Sequence, residues 1–143
     1  MSEDLALMRA IPGMTVINPA DDVSARKLIK AAAEFDGPCY IRLGRASVPV
    51  LYGEDQEDEI GKALQLREGK DAVIIATGIM VDTAIQAAEM LKAEGLEVGV
   101  IDMHTIKPID EEAIVEAART GALRALLTDS SGNIFWKISA LLQ

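Results

Sequence analysis

Two rhythms of apolar and polar positions run along the chain, and the places where one gives way to the other predict its elements. Residues 3–10 follow a helical period, with Ser2 placed as an N-cap and Glu3 and Asp4 in the first turn, where acids favour the helix dipole. Pro12 and Gly13 end this helix. "MTVIN" then alternates as a short β-branched strand, and "PADDVSARKLIKAAAEF" returns to helical spacing with Val23, Leu28, Ile29 and Ala32 on one face. A second strand, Cys39 to Leu43, stops at Gly44. Two strands joined by a helix form a βαβ crossover, which implies a parallel sheet.

From Ala46 to Gly69 the periodicity weakens, and "GEDQEDEIGK" reads as an acidic, turn-rich linker whose charges are solvated. A second alternating unit starts at Asp71. It predicts strand "AVIIAT", a turn at Gly78, a helix from Val81 to Glu94 stopped by Gly95, and strand "LEVGVIDM". A "KPID" turn, helix "EEAIVEAAR", a stop at Gly121 and strand "ALRALLT" follow. The fold class is α/β, in two doubly wound parallel-sheet units: residues 1–50, a linker at 51–69, and residues 70–143. A first unit of about fifty residues leaves a sheet edge and apolar surface uncovered, so it reads as the back half of a larger domain.

Composition narrows the classes. The chain has 143 residues, a formal net charge of −9 and 50% hydrophobic residues, a soluble globular balance. No apolar run approaches the roughly 20 residues a spanning helix requires, so no membrane is expected as a partner. The acidic "MSEDLALM" is unlike a secretory signal, and Cys39 is the sole cysteine. Both point to a reducing cytoplasm. The acidic balance and scattered basic residues argue against nucleic acid.

Few residues carry candidate chemistry. "TGIMVDT" after a strand, with Asp102 at the end of the next, has the outline of a dinucleotide site. Of the three glycines such a site uses only Gly78 is present, and Ile79 and Met80 would crowd a pyrophosphate, so a plain strand-to-helix turn is the better reading. His104, the only histidine, could serve acid–base chemistry but has no nucleophile at a recognisable spacing; a loop histidine that caps or packs is favoured. One His and one Cys give no metal cluster. Asp21 and Asp22 begin a helix as capping residues, and Arg9 suits the end of the first helix. Arg45 stands beyond the carboxyl end of its strand, where open α/β sheets bind ligands, and its fork of donors matches a phosphate or carboxylate. Pairing with the neighbouring acidic segment explains Arg45 equally well.

"EDLALMRAIPGMTVINPADDVSARKLIKAAAEFDGPCYIRLGR" and "DAVIIATGIMVDTAIQAAEMLKAEGLEVGVIDMHTIKPIDEEAI" together resemble the transketolase family, in particular the C-terminal subunit of split transketolases. The first block is similar to the second half of the pyrimidine-binding domain, the second to the C-terminal domain. The similarity fades from about residue 124, where "DSSGNIFWKISALLQ" replaces the family pattern. The resemblance implies thiamine-diphosphate-dependent transfer of a two-carbon ketol unit between phosphosugars, with Arg45 binding the substrate phosphate. It implies that the activating glutamate, the aromatic pyrimidine pocket and the diphosphate and Mg²⁺ site lie outside this chain. No catalytic, cofactor-binding or metal-binding residue is therefore expected here, and the chain alone is expected to be inactive and to hold no cofactor. Its implied partners are a diphosphate-binding N-terminal subunit, a homodimer partner, or both. The alternative is a non-catalytic α/β assembly module or a truncated gene remnant.

Overall fold

A computed structural model describes residues 3–44 and 47–119, so Ser2, Arg45, Gly121 and the strand expected at "ALRALLT" lie outside the described residues. Helix α1 (Asp4–Ala10) has Glu3 at its N-cap position with no side-chain cap bond, and strand β1 (Thr15–Ile17) follows. Helix α2 (Asp22–Glu34) starts where Asp21 accepts the Ser24 N–H at 2.8 Å, which satisfies one of the donors a helix start leaves open. Its buried face is Val23, Ser24 and Leu28; Ile29, expected on that face, is exposed. Strand β2 (Cys39–Ile41) pairs with β1 in parallel, so the predicted crossover is present.

Between the expected units the structure differs from the sequence pattern. Residues 64–67, inside the weakly patterned segment 51–69, form strand β3 (Leu64–Arg67), antiparallel to β5 (Val98–Asp102). Strand β4 (Ala72–Ala76) pairs with the other edge of β5 in parallel. After helix α3 (Met80–Ala93) and β5, strand β6 (Thr105–Lys107) crosses to the first sheet and pairs antiparallel with β1. Helix α4 (Glu111–Arg119) follows. The described residues thus form two mixed sheets, β2-β1-β6 and β3-β5-β4, rather than two parallel ones. Only two residues separate strand β6 from β5, and it runs into the "KPID" turn, so no separate strand is read there.

Alternation places the core. On β4 and β5, Ala76, Val98 and Val100 face Val81, Ala84 and Ala88 of α3, while Val73, Ile75 and Ile101 face Ile114 and Ala117 of α4. Ala20, Val23 and Tyr52 belong to the same cluster as the α3 face, so the base of α2 is packed into the second sheet's core. On the first sheet α1 buries Leu5 against Val16 and Ile106. Tyr40 donates to Asp4 Oδ2 at 2.6 Å and Arg42 pairs with the same carboxylate at 3.5 Å, tying α1 to the β2 side.

The turn from β3 to β4 lies so close to β5 that a side chain has no room there. A Cβ on Gly69 would stand 2.0 Å from the Gly99 nitrogen, a backbone atom that moves only with its strand. Gly69→Ala should therefore destabilise the chain by about 1–3 kcal/mol, the usual range for overpacking. Urea unfolding measures it, and a loss under about 0.5 kcal/mol, as for an ordinary surface change, would show that β3 does not dock as described.

Candidate functional site

Beyond the carboxyl ends of β1 and β2 lies a crevice of about 340 Å³. Pro19, Asp21 and Asp22 from the start of α2 line it, together with Gly44, Ser47 and, from the start of α3, Ile79. Gly78 supplies the turn before α3 at φ +58°, and the Asn18 side chain is so close that a Cβ on Gly78 would stand 2.5 Å from its Nδ2. Arg45 lies outside the described residues; its neighbours Gly44 and Ser47 both line the crevice.

The two carboxylates here serve structure. Asp21 is almost fully buried: its Oδ1 accepts from Ser24, and its Oδ2 accepts the backbone N–H groups of Leu51 at 2.7 Å and Tyr52 at 3.0 Å. Asp22 is exposed and pairs with Arg26 at 2.8 Å. The capping expected of Asp21 is present, with a further role that the sequence did not announce. It fixes the chain three residues after Val48, which lines the crevice.

Below the crevice is a buried polar cluster. Tyr52 Oη donates to Asp102 Oδ2 at 2.6 Å, while Asp102 Oδ1 has no hydrogen-bond partner. The side chains of Asp58 and His104 are both fully buried, with His104 Nε2 standing 4.0 Å from Asp58 Oδ1. Neither Asp58 oxygen nor His104 Nε2 makes a hydrogen bond. His104 Nδ1 lies 3.1 Å from Thr105 Oγ1, which accepts the Gly61 N–H at 3.0 Å.

Burial dominates the electrostatics of this cluster. It pushes Asp102 up to about 7; the Tyr52 hydrogen bond opposes the rise, and the charges of Asp58 and Asp21 add to it. Asp58 is raised by burial and by Asp21, against the pull of Lys27 and of the nearby Ser24 hydroxyl. Tyr52 is raised by burial and by Asp102. His104 moves the other way, down to about 4, because burial disfavours the imidazolium more than Asp110 favours it.

These placements settle several sequence readings. Asp102 is buried against Tyr52 and cannot meet a ribose, and Asn18 occupies the space at Gly78 that a pyrophosphate would need. His104 packs inside, as favoured. Arg9 stands in the last turn of α1, as expected, and Lys107 Nζ donates there to the carbonyls of Arg9 and Ile11, at 3.1 and 2.7 Å. Tyr52 and Asp58 were missed. Both lie in the acidic segment, and nothing in a run of charges marks which carboxylate turns inward.

A pH dependence follows from Asp102. Its folded pKa lies above the unfolded value of about 3.9, so the folded chain holds the proton more tightly between the two. The stability this contributes is complete below about pH 4 and is lost as pH rises towards 7. Wild-type stability in urea should therefore fall from pH 4.5 to pH 7.5 relative to Asp102→Asn, which has no proton to lose. Parallel profiles would mean that Asp102 titrates normally.

Residues 61–141 match the family of the transketolase C-terminal domain, and residues 1–50 match that of the transketolase pyrimidine binding domain. The chain is 47% identical over 122 residues to the 6-deoxy-6-sulfo-D-fructose transketolase subunit SqwH of a Clostridium species, covering 85% of this chain and 38% of that one. It is 46% identical over 116 residues to a putative transketolase C-terminal section of Methanocaldococcus jannaschii, covering 80% and 37%. Among solved structures, a split gene transketolase described as an inactive beta4 tetramer superposes with a TM-score of 0.85 at 48% identity, over 88% of this chain and 42% of that one. The chain thus spans less than half the length of these relatives. It belongs to the transketolase family.

Proposed function

We propose that this chain is a C-terminal transketolase subunit or section, taking part in thiamine-diphosphate-dependent transfer of a two-carbon ketol unit between phosphosugars together with domains or a subunit it does not itself supply. The observation that carries this reading is the succession in one chain of the pyrimidine-domain and C-terminal-domain matches. Relatives are named for transfer on sulfofructose and on apulose 4-phosphate, so sugar acceptors or donors bearing an anionic group suit the arginine at position 45. A cytoplasmic setting belongs to the same proposal. Among the described residues no helix is long and apolar enough to cross a membrane.

We infer that the diphosphate and Mg²⁺ are held outside the described residues, among which no group of three or more His, Cys, Asp and Glu side chains is placed to hold Mg²⁺. When bound in an assembled enzyme, thiamine diphosphate supplies the carbanion chemistry. This chain's part is to bind and orient the substrate through Arg45. A second reading, a non-catalytic assembly module, is favoured by the likeness to a split gene transketolase whose solved beta4 tetramer is inactive.

Titration calorimetry of the isolated chain with thiamine diphosphate and Mg²⁺ should show no saturable heat; micromolar binding would overturn the division of labour proposed here. In an enzyme reconstituted with a diphosphate-binding transketolase subunit, Arg45→Ala should weaken phosphorylated substrates by roughly 10- to 100-fold, since a hydrogen bond to a charged group contributes about 1.5–3 kcal/mol. The loss should fall mainly on KM. An equal loss on a phosphorylated sugar and its unphosphorylated counterpart would show that Arg45 pairs with the acidic segment instead.

A further inference from the structure

The segment after the crevice loop, residues 51–61, is a strap fastened on two sides. Towards α2, Asp21 holds the backbone of Leu51 and Tyr52, Lys27 Nζ donates to the carbonyls of Glu54 and Gln56, and Arg26 pairs with Glu54 at 2.6 Å. Towards the second sheet, Tyr52 donates to Asp102 and Gly61 donates to Thr105. Between these fastenings Asp58 turns its side chain inward, fully buried, facing His104 Nε2.

An ionised Asp58 would be a buried charge whose lost hydration the Ser24 hydroxyl and Lys27 offset only in part. An imidazolium at His104 would be equally exposed to that cost. A neutral carboxyl facing a neutral imidazole avoids both, because a carboxyl O–H can donate to Nε2. The Thr105 hydroxyl oxygen lies beside Nδ1 and can accept from it. The gap of 4.0 Å exceeds hydrogen-bond range by about 1 Å, a distance that small side-chain rotations close.

We propose that Asp58 and His104 form a pH-sensitive latch, in which the protonated Asp58 carboxyl donates to His104 Nε2, His104 Nδ1–H donates to Thr105, and this neutral pair seals the strap to the second sheet. Loss of the carboxyl proton leaves a buried charge and loosens the strap. The charged and titratable groups facing the pair are Lys27 on α2, which favours the ionised carboxyl, and Asp21, which opposes it. On the other side Tyr52 and Asp102 stand beside Asp58 in the cluster, and Asp110 favours the imidazolium. The upward shift of Asp58 and the downward shift of His104 agree with a proton resident on the carboxyl. For Asp58 the sign is that of a raised carboxyl: its contribution is present at low pH and is lost as pH rises through the folded value. For His104 the contribution is lost as pH falls from about 6.5 towards 4.

His104 is the only histidine of the full chain, so its ring nitrogens can be read without assignment. In the ¹⁵N-labelled 143-residue protein, two-bond ¹⁵N–¹H spectra at pH 5 should show the neutral Nδ1–H tautomer. Raising the pH through the ionisation of Asp58 should convert it towards Nε2–H, with amide exchange of residues 51–61 losing about tenfold in protection for each pH unit between the unfolded carboxyl value of about 3.9 and the raised folded one. Asp58→Asn, whose amide can donate to Nε2 and has no proton to lose, should keep the Nδ1–H tautomer and the strap's protection across the range. An Nε2–H tautomer at every pH, an imidazolium titrating near pH 6.5, or an unchanged tautomer switch in Asp58→Asn would overturn the latch. If Asp58→Asn fails to fold by far-UV circular dichroism, the wild-type tautomer at pH 5 decides alone.

Discussion

One carboxylate, Asp21, accepts three backbone N–H groups from two segments thirty residues apart, and much of the arrangement around the crevice depends on it. Oδ1 starts α2 by taking Ser24, and Oδ2 takes the first two residues of the strap. Hydrogen bonds to a charged group contribute about 1.5–3 kcal/mol each, while a buried N–H left without a partner costs about 1–3 kcal/mol. With Tyr52 fixed in this way its ring is held in the core and its hydroxyl reaches Asp102 at the end of β5. A single acceptor thereby connects the start of α2, the exit of the crevice loop and the central strand of the second sheet.

What could be read from the sequence was whatever repeats. β1, α2, β2, β4, α3, β5 and α4 each present a run long enough for period two or period 3.6 to show, and each is found where the pattern puts it to within a few residues. β3 and β6 escape because their partners are distant: β3 is a strand because β5 offers it an edge, and β6 because β1 does. Edge pairing of this kind is a tertiary decision that propensity does not anticipate. The same holds in the site. Asp21 was legible as a cap because capping is local, whereas its bonds to Leu51 and Tyr52 span thirty residues. Asp58 looks like its acidic neighbours until the strap folds over it.

Net charge works against the buried cluster. Asp21, Asp58 and Asp102 lie within electrostatic reach of one another in a chain that is already at −9, and burial removes the water that would screen them. Three ionised carboxylates cannot share such a place at neutral pH. Asp21 has donors on both oxygens, with three N–H groups on it. Asp102 has Tyr52 on one oxygen and nothing on the other. Asp58 makes no hydrogen bond on either oxygen, with the Ser24 hydroxyl as its nearby donor and Lys27 as its nearby cation. Asp102 and Asp58, the less supplied of the three, are the two that burial raises.

The two family matches meet between residues 50 and 61, yet the packing does not divide there. Ala20 and Val23 of the first segment share a core with Ala76, Val81 and Val98 of the second, and β6 of the second segment completes the sheet of the first. The crevice is built the same way, from the start of α2 on one side and Ile79 at the start of α3 on the other. The spacing of the crevice walls is thus set by the common core and by the strap, which Asp21 fixes at Leu51 and Tyr52. This gives the acidic segment a structural task in addition to that of joining the two matched segments.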